Sequence, residues 1–185
     1  EERLPEGAYR VVLGPAATAE YLNFLGWVGY SASSMKRGFS VYNEDDIGKK
    51  VLSDRFTLME DPSMLATFPS PVDAFGRKRE KRAIFDRGVL TGFIWTQQTA
   101  DEFGGTATGH DVSELSLALQ GGDVDAALIQ DFARLPRDCD ILYVPYLHYA
   151  NIVNPTEGLV TGVSRFGALY LKRDGTITLP YNVRF

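Results

Sequence analysis

The run Asp140-Ile141-Leu142-Tyr143-Val144-Pro145-Tyr146-Leu147-His148-Tyr149 is the one from which the fold is best read. Leu142, Val144, Tyr146 and His148 fall on one side of an extended chain, and Ile141, Tyr143, Leu147 and Tyr149 on the other. Apolar or aromatic side chains on both sides predict a strand covered on both faces. Asn154-Pro155 then turns the chain, and Leu159 to Val163 begins a second β-rich run. Ala168 to Leu171 and Thr176 to Leu179 flank Asp174-Gly175. That dipeptide predicts a hairpin with a type I′ turn, which needs positive φ at both central positions. The stretch from Asp140 to Phe185 therefore reads as a block of antiparallel sheet, with the upstream chain packed around it.

Upstream, Tyr9 to Leu13 is a short strand stopped by Gly14-Pro15, and Pro15 suits a first helical position where no N–H is needed. Tyr21, Phe24, Leu25 and Val28 recur at helical spacing, predicting an amphipathic helix from Ala16 to about Gly29, its apolar face extended by Trp27 and Tyr30. Ser31 to Gly38 is a loop or a frayed helix end. Leu52 to Met59 is strand-like and is ended by Glu60-Asp61-Pro62. Asp61 to Gly76 holds three prolines and little periodicity, which predicts a long loop. A strap across the sheet is the plainer reading of it, and a functional loop is the other. Lys81 to Phe85 and Val89 to Trp95 are strands joined by Asp86-Arg87-Gly88. Thr96 is the N-cap of a short helix through Phe103, and Gly104 is its stop.

Beyond a glycine- and threonine-rich segment from Gly105 to Asp111, the alternation of Leu115, Leu117 and Leu119 predicts another strand. Gly121-Gly122 breaks it, and Asp123 caps a helix with Val124, Leu128, Phe132 and Leu135 on one stripe, ended by Pro136. Hairpins outnumber any alternation of helix and strand. The expected architecture is a single α+β, β-rich domain over residues 1–185, built on a strongly curled antiparallel sheet or barrel with a few covering helices.

Composition excludes several classes of function. A chain of 185 residues with 44% hydrophobic and 23% charged residues can bury a real core, and no apolar run approaches a membrane span. The net charge of −5 argues against direct nucleic-acid binding, which depends on Lys and Arg neutralising phosphates. The basic run Arg77-Lys78-Arg79-Glu80-Lys81-Arg82 is interrupted by an acid and reads as a solvated hairpin edge. One cysteine, Cys139, allows no intrachain disulfide and fits a reducing, cytoplasmic setting. The opening Glu1-Glu2-Arg3 lacks an initiator Met, as in a fragment or processed product.

Few residues are equipped for catalysis. A catalytic zinc needs three protein ligands, commonly two from one helix, whereas this chain offers only His110, His148 and Cys139 and has no HExxH or HExxxH. Asp138 and Asp140 flank Cys139 and would raise its thiol pKa, which makes it structural rather than nucleophilic. Gly104-Gly105 and Gly121-Gly122 match no phosphate-loop pattern, and there is no GxSxG elbow. Glu44-Asp45-Asp46 is a solvated loop. His148 reads as a hydrogen-bonded histidine of an apolar strand or, alternatively, as a group lining a peptide cleft with Tyr146, Tyr149 and His110. On this reading there is no catalytic residue and no metal ligand.

Several short motifs, in order, carry a family resemblance. They are Val11-Val12-Leu13 to Phe24-Leu25, Leu52-Ser53-Asp54 to Asp61-Pro62, Gly88-Val89-Leu90 with Thr99-Ala100, Thr108-Gly109-His110, Gly122-Asp123 with Leu128-Ile129, and Leu147 to Pro155 followed by Thr161-Gly162, Arg165 and Gly167. Together they resemble the C-terminal domain of the TldD/PmbA family, whose members have been called modulators of DNA gyrase and are viewed as peptide-maturing metalloproteases. The resemblance implies an α/β N-terminal domain missing from these residues. It also implies that zinc is held only in a catalytic partner, by an HExxxH helix and a Gly-Thr-Cys-Gly cysteine. This chain carries neither motif and looks more like the PmbA (TldE) branch. Phe166 and Ala168 depart from the Asp and Thr common in the family, so roles tied to those positions do not carry over.

The resemblance thus implies a non-catalytic scaffold that binds unfolded peptide, with a TldD-like subunit or a second copy of itself as partner in a hetero- or homodimer. The alternatives are a fragment of a catalytic zinc metalloprotease whose HExxxH lies upstream, and a binding module unconnected with proteolysis.

Overall fold

Pro145 divides the run from Asp140 to Tyr149 between two strands that join different sheets. Proline has no N–H to give to a ladder, so pairing changes partner there. The structure, a computed structural model, describes residues 3–67, 69–122 and 138–185. In chain order its elements are β1 (Val11–Leu13), α1 (Pro15–Leu25), α2 (Ala32–Lys36), β2 (Leu58–Glu60), β3 (Arg82–Asp86), β4 (Val89–Leu90), α3 (Gln97–Phe103), β5 (Leu117–Leu119), β6 (Ile141–Val144), β7 (Tyr146–Asn154), β8 (Leu159–Arg165), β9 (Leu169–Leu171) and β10 (Ile177–Thr178). They fall into two compact units: Glu1–Leu22, Val124–Val153 and Leu159–Phe185 form the first, and Asn23–Asp123 with Asn154–Gly158 the second.

In the first unit one sheet has the order β1-β6-β9-β10. β1 runs parallel to β6, Val11 opposite Leu142, while β6–β9 and β9–β10 are antiparallel. Ala17 of α1 packs with Leu142, Val144, Leu147 and Ala168 to make the apolar centre of this unit, with Leu13, Tyr170 and Val183 around it. The β9–β10 hairpin closes through three residues, Arg173 to Gly175: Lys172 N–H bonds the Thr176 carbonyl at 2.8 Å, and Gly175 sits at φ 91°. Asp174 has no positive φ, so this is not the expected type I′ turn. Glycine in the left-handed position of a three-residue loop does the same work. A separate ribbon of β7 and β8 completes the unit.

The second unit is built on an antiparallel sheet of order β4-β3-β2-β5. Leu58, Ile84, Phe85 and Leu90 are buried at its centre. Tyr30, Tyr42 and Phe56 approach the Phe85 ring edge-on at 6.1, 6.0 and 5.7 Å. Each such pair adds about 0.5–1.5 kcal/mol beyond area burial. The type I′ geometry occurs here instead, at Arg87 (φ 46°) and Gly88 (φ 78°) between paired Asp86 and Val89. A Cβ on Gly88 would meet the Leu52 carbonyl oxygen at 2.2 Å, so no other residue fits. α3 forms as expected: Thr96 Oγ1 accepts from Thr99 N–H, and Gly104 ends the helix in the left-handed conformation.

Three expectations need correction. Among the described residues the strands form two four-stranded sheets and one two-stranded ribbon, none closed or strongly curled, so α+β holds and the barrel does not. Closure needs one continuous ladder with a fixed stagger, whereas these strands are short and change partner at Pro145. α1 ends at Leu25 and continues as a π-helical turn, Gly26–Tyr30, in which Tyr30 is buried and Trp27 is exposed; Tyr21 is also exposed. The strand after Pro145 is open on one side, with Tyr146, Tyr149 and Val153 exposed. The helix expected from Asp123 to Pro136 lies outside the described residues. No helix among those described is long and apolar enough to cross a membrane.

Candidate functional site

β8 is paired on both sides and β7 on one. Besides β7, β8 meets the chain's end: Gly162 N–H bonds Phe185 O at 2.8 Å, Phe185 N–H returns to Gly162 O at 3.1 Å, and Ser164 N–H bonds Val183 O at 2.8 Å. Among the described residues nothing pairs with the other edge of β7, which is nine residues long.

The β7–β8 ribbon gathers five side chains. Tyr146 meets the Phe166 ring edge-on at 5.4 Å, and the Arg165 guanidinium lies 5.1 Å from that ring. Arg165 Nη1 donates to His148 Nε2 at 2.8 Å. A guanidinium only donates, so His148 Nε2 is the accepting atom of this contact. The Tyr149 ring lies 4.0 Å from the His148 ring, tilted to it by 49°. Tyr149 (φ 50°) and Phe166 (φ 64°) both hold left-handed backbone, yet they are 78% and 74% exposed. Bulky residues there cost about 1–3 kcal/mol each, a strain met chiefly at functional positions. The structure thus brings Tyr146, His148 and Tyr149 together and adds Arg165 and Phe166.

His110, the fourth residue read from the sequence, belongs to the second unit and is 2% exposed. Its Nε2–H donates to the Glu80 carbonyl at 3.0 Å and lies 4.0 Å from Glu60 Oε1, while Nδ1 has no partner among the described residues. Burial pushes its pKa below 6.5; the Glu80 hydrogen bond and Glu60 oppose this, and Arg82 and Arg79 add to it.

Around His110 is a charge cluster that sequence reasoning missed. Glu60, fully buried, takes Arg79 Nη2 at 2.5 Å on one oxygen and Ser116 N–H at 2.6 Å on the other. Arg79 also donates to Glu114 O at 2.8 Å. Burial, and then Glu60, raise the Tyr30 hydroxyl pKa well above its usual value. The basic run is therefore not a simple solvated edge: Arg79 turns inward, while Lys78 and Lys81 stay exposed beside Glu80 and Asp61. Nothing local announces this, because the two partners are 19 residues apart across a loop.

These pieces have counterparts in known proteins. The model of the PmbA/TldA metallopeptidase C-terminal domain matches residues 6–184. The chain belongs to the PmbA/TldD family. The metalloprotease PmbA of Escherichia coli O157:H7 is 37% identical over 79 residues, covering 40% of this chain and 18% of that protein. A PmbA homolog from Haemophilus influenzae is 29% identical over 101 residues, 54% of this chain and 22% of that protein. A Bacteroides thetaiotaomicron protein called a modulator of DNA gyrase shares the fold with a TM-score of 0.77 at 22% identity, and TldE of Thermococcus kodakarensis with 0.72 at 17%. Both comparisons take in all of this chain, which spans 40% and 43% of the two solved chains.

The metallopeptidase name raises the question of a metal, and the residues described do not fit one. His110 is committed to the Glu80 carbonyl in the second unit; in the first, His148 Nε2 is taken by Arg165 and Cys139 is a free thiol beside Asp138. Among the described residues no three His, Cys, Asp or Glu side chains are grouped to hold an ion.

Proposed function

We propose that this PmbA/TldD-family domain is a peptide-binding scaffold in a metalloprotease assembly, taking unfolded peptide in extended form along β7 and leaving cleavage to a TldD-like partner subunit. The edge of β7 that no strand among the described residues pairs with carries this reading. Its free N–H and C=O groups are a template for an added strand, and nine residues offer roughly 30 Å of it. Tyr146, His148 and Tyr149 would supply contacts to alternate side chains of the guest. A lone free thiol, Cys139, suits a reducing compartment such as the cytoplasm.

The test is anisotropy of a labelled extended peptide on the protein, with and without its partner subunit. A peptide N-methylated at alternate residues cannot donate to the edge and is expected to bind at least about tenfold more weakly. Equal binding of the two peptides would sink the proposal. A second reading, a catalytic protein with its HExxxH elsewhere in a longer chain, is favoured by the metalloprotease names of the relatives and the short span of the match. Chelator-sensitive cleavage by the longer protein without any partner would establish it.

A further inference from the structure

Along the run from Lys78 to Arg82 the basic side chains pair with carboxylates, and among the described residues one of them is left over. Arg79 is matched by Glu60, Lys78 by Glu80 at 3.2 Å and Lys81 by Asp61 at 2.8 Å. Arg82 lies directly across the ladder from Glu60, whose carboxylate is already engaged. Among the described residues the Arg82 guanidinium has no hydrogen-bond or ion-pair partner, though it is half-buried, and a guanidinium stays charged at working pH. Two guanidiniums therefore share one buried carboxylate. Unpaired positive charge in a partly desolvated place is costly unless an anion completes it.

The surplus charge lies at a cavity. Lys78, Glu80, Lys81, Arg82, Thr108 and His110 are among the residues lining a space of about 490 Å³. His110, one of its lining residues, carries a second unsatisfied group: its buried Nδ1 has no hydrogen-bond partner among the described residues. That volume accommodates a small polar ligand.

We propose that this cavity binds a small oxyanion, a carboxylate or a phosphate group, held by the Arg82 guanidinium with Lys78 and Lys81 beside it. The site stands independently of peptide addition along β7. An Arg fork offers two parallel donors to two oxygens, which suits either anion and disfavours a spherical chloride.

Thermal unfolding of the whole protein, titrated with sodium acetate, inorganic phosphate and sodium chloride at matched ionic strength, tests this. Saturable stabilisation by acetate or phosphate, absent with chloride, is expected. The tighter of the two identifies the source as a carboxylate or a phosphate. Arg82→Gln should weaken binding about tenfold or more, and Arg82→Lys only a few-fold, since it keeps the charge and loses the fork. NMR of the His110 ring in the unmodified protein is the second readout, useful if Arg82→Gln does not fold: its resonances should shift saturably with the same apparent Kd. No saturable binding, a His110 ring that does not respond, or an Arg82→Gln protein that binds as tightly as the parent overturns the site.

Discussion

The two histidines stand in opposite settings, and the contrast runs through both units. His110 is buried at a wall where Glu60 and Arg79 are also enclosed, whereas His148 lies on a half-open ribbon between Arg165 and Tyr149. Each has an arginine and aromatic residues in its unit, but the physics differs. In the second unit charges removed from water must be matched partner for partner, so residues act as a locked group. On the ribbon water screens the same kinds of contact, and what is held there at a cost is backbone strain at Tyr149 and Phe166. Buried polarity organises structure, and exposed strain marks a surface kept for something else.

The largest test of this contrast removes one arginine from each setting. Arg79→Met strands the Glu60 carboxylate and should cost about 3–5 kcal/mol in urea unfolding, while Arg165→Met should cost under about 1 kcal/mol. A Glu60→Leu/Arg79→Met double variant should recover much of the loss. Similar losses for the two single variants would break the contrast. Next comes the backbone. Gly88→Ala drives a Cβ to 2.2 Å from the Leu52 carbonyl oxygen at φ 78° and should cost more than about 1 kcal/mol.

Tyr149→Gly should do the reverse, raising stability by up to about 1 kcal/mol as left-handed strain is relieved, while weakening extended-peptide binding. A Tyr149→Gly protein that is clearly less stable would remove the claim of stored strain.

The smallest effects are with pH. Because the folded His110 has a pKa held below 6.5, the unfolded chain takes its proton first; stability from this group is complete above 6.5 and declines as pH falls below it. His110→Gln should flatten that slope in denaturation curves recorded across this range. At lower pH, Asp61, held down to about 2 chiefly by the Lys81 hydrogen bond, gives stability present above 3.8 and lost as pH falls toward 2. Asp61→Asn should reduce that acid limb.

Much of this was legible residue by residue. Thr96 and Gly104 bracket α3 as read, and both hairpins fall at Arg87-Gly88 and Asp174-Gly175, though with the type I′ turn at the first rather than the second. Tyr146, His148 and Tyr149 are together because they share one strand. Arg165 and Phe166 join them only through the β7–β8 pairing, and His110 is enclosed in the other unit. Glu60 looked like the polar end of a strand, and Arg79 like one member of a solvated run. Their pairing needed the register that sets β2 against β3.

By itself the sequence determined local events: the caps of α3, the places of the two hairpins and the ordered motifs of the PmbA/TldD family. Those depend on the conformational limits of neighbouring residues, which travel with the chain. Tertiary structure alone decided how the strands divide into sheets, which histidine is enclosed, and that Arg82 shares the Glu60 carboxylate with Arg79 and has no ion-pair partner of its own among the described residues. Those outcomes depend on which distant groups share a dry space, and burial is a property of the packed molecule rather than of any short segment.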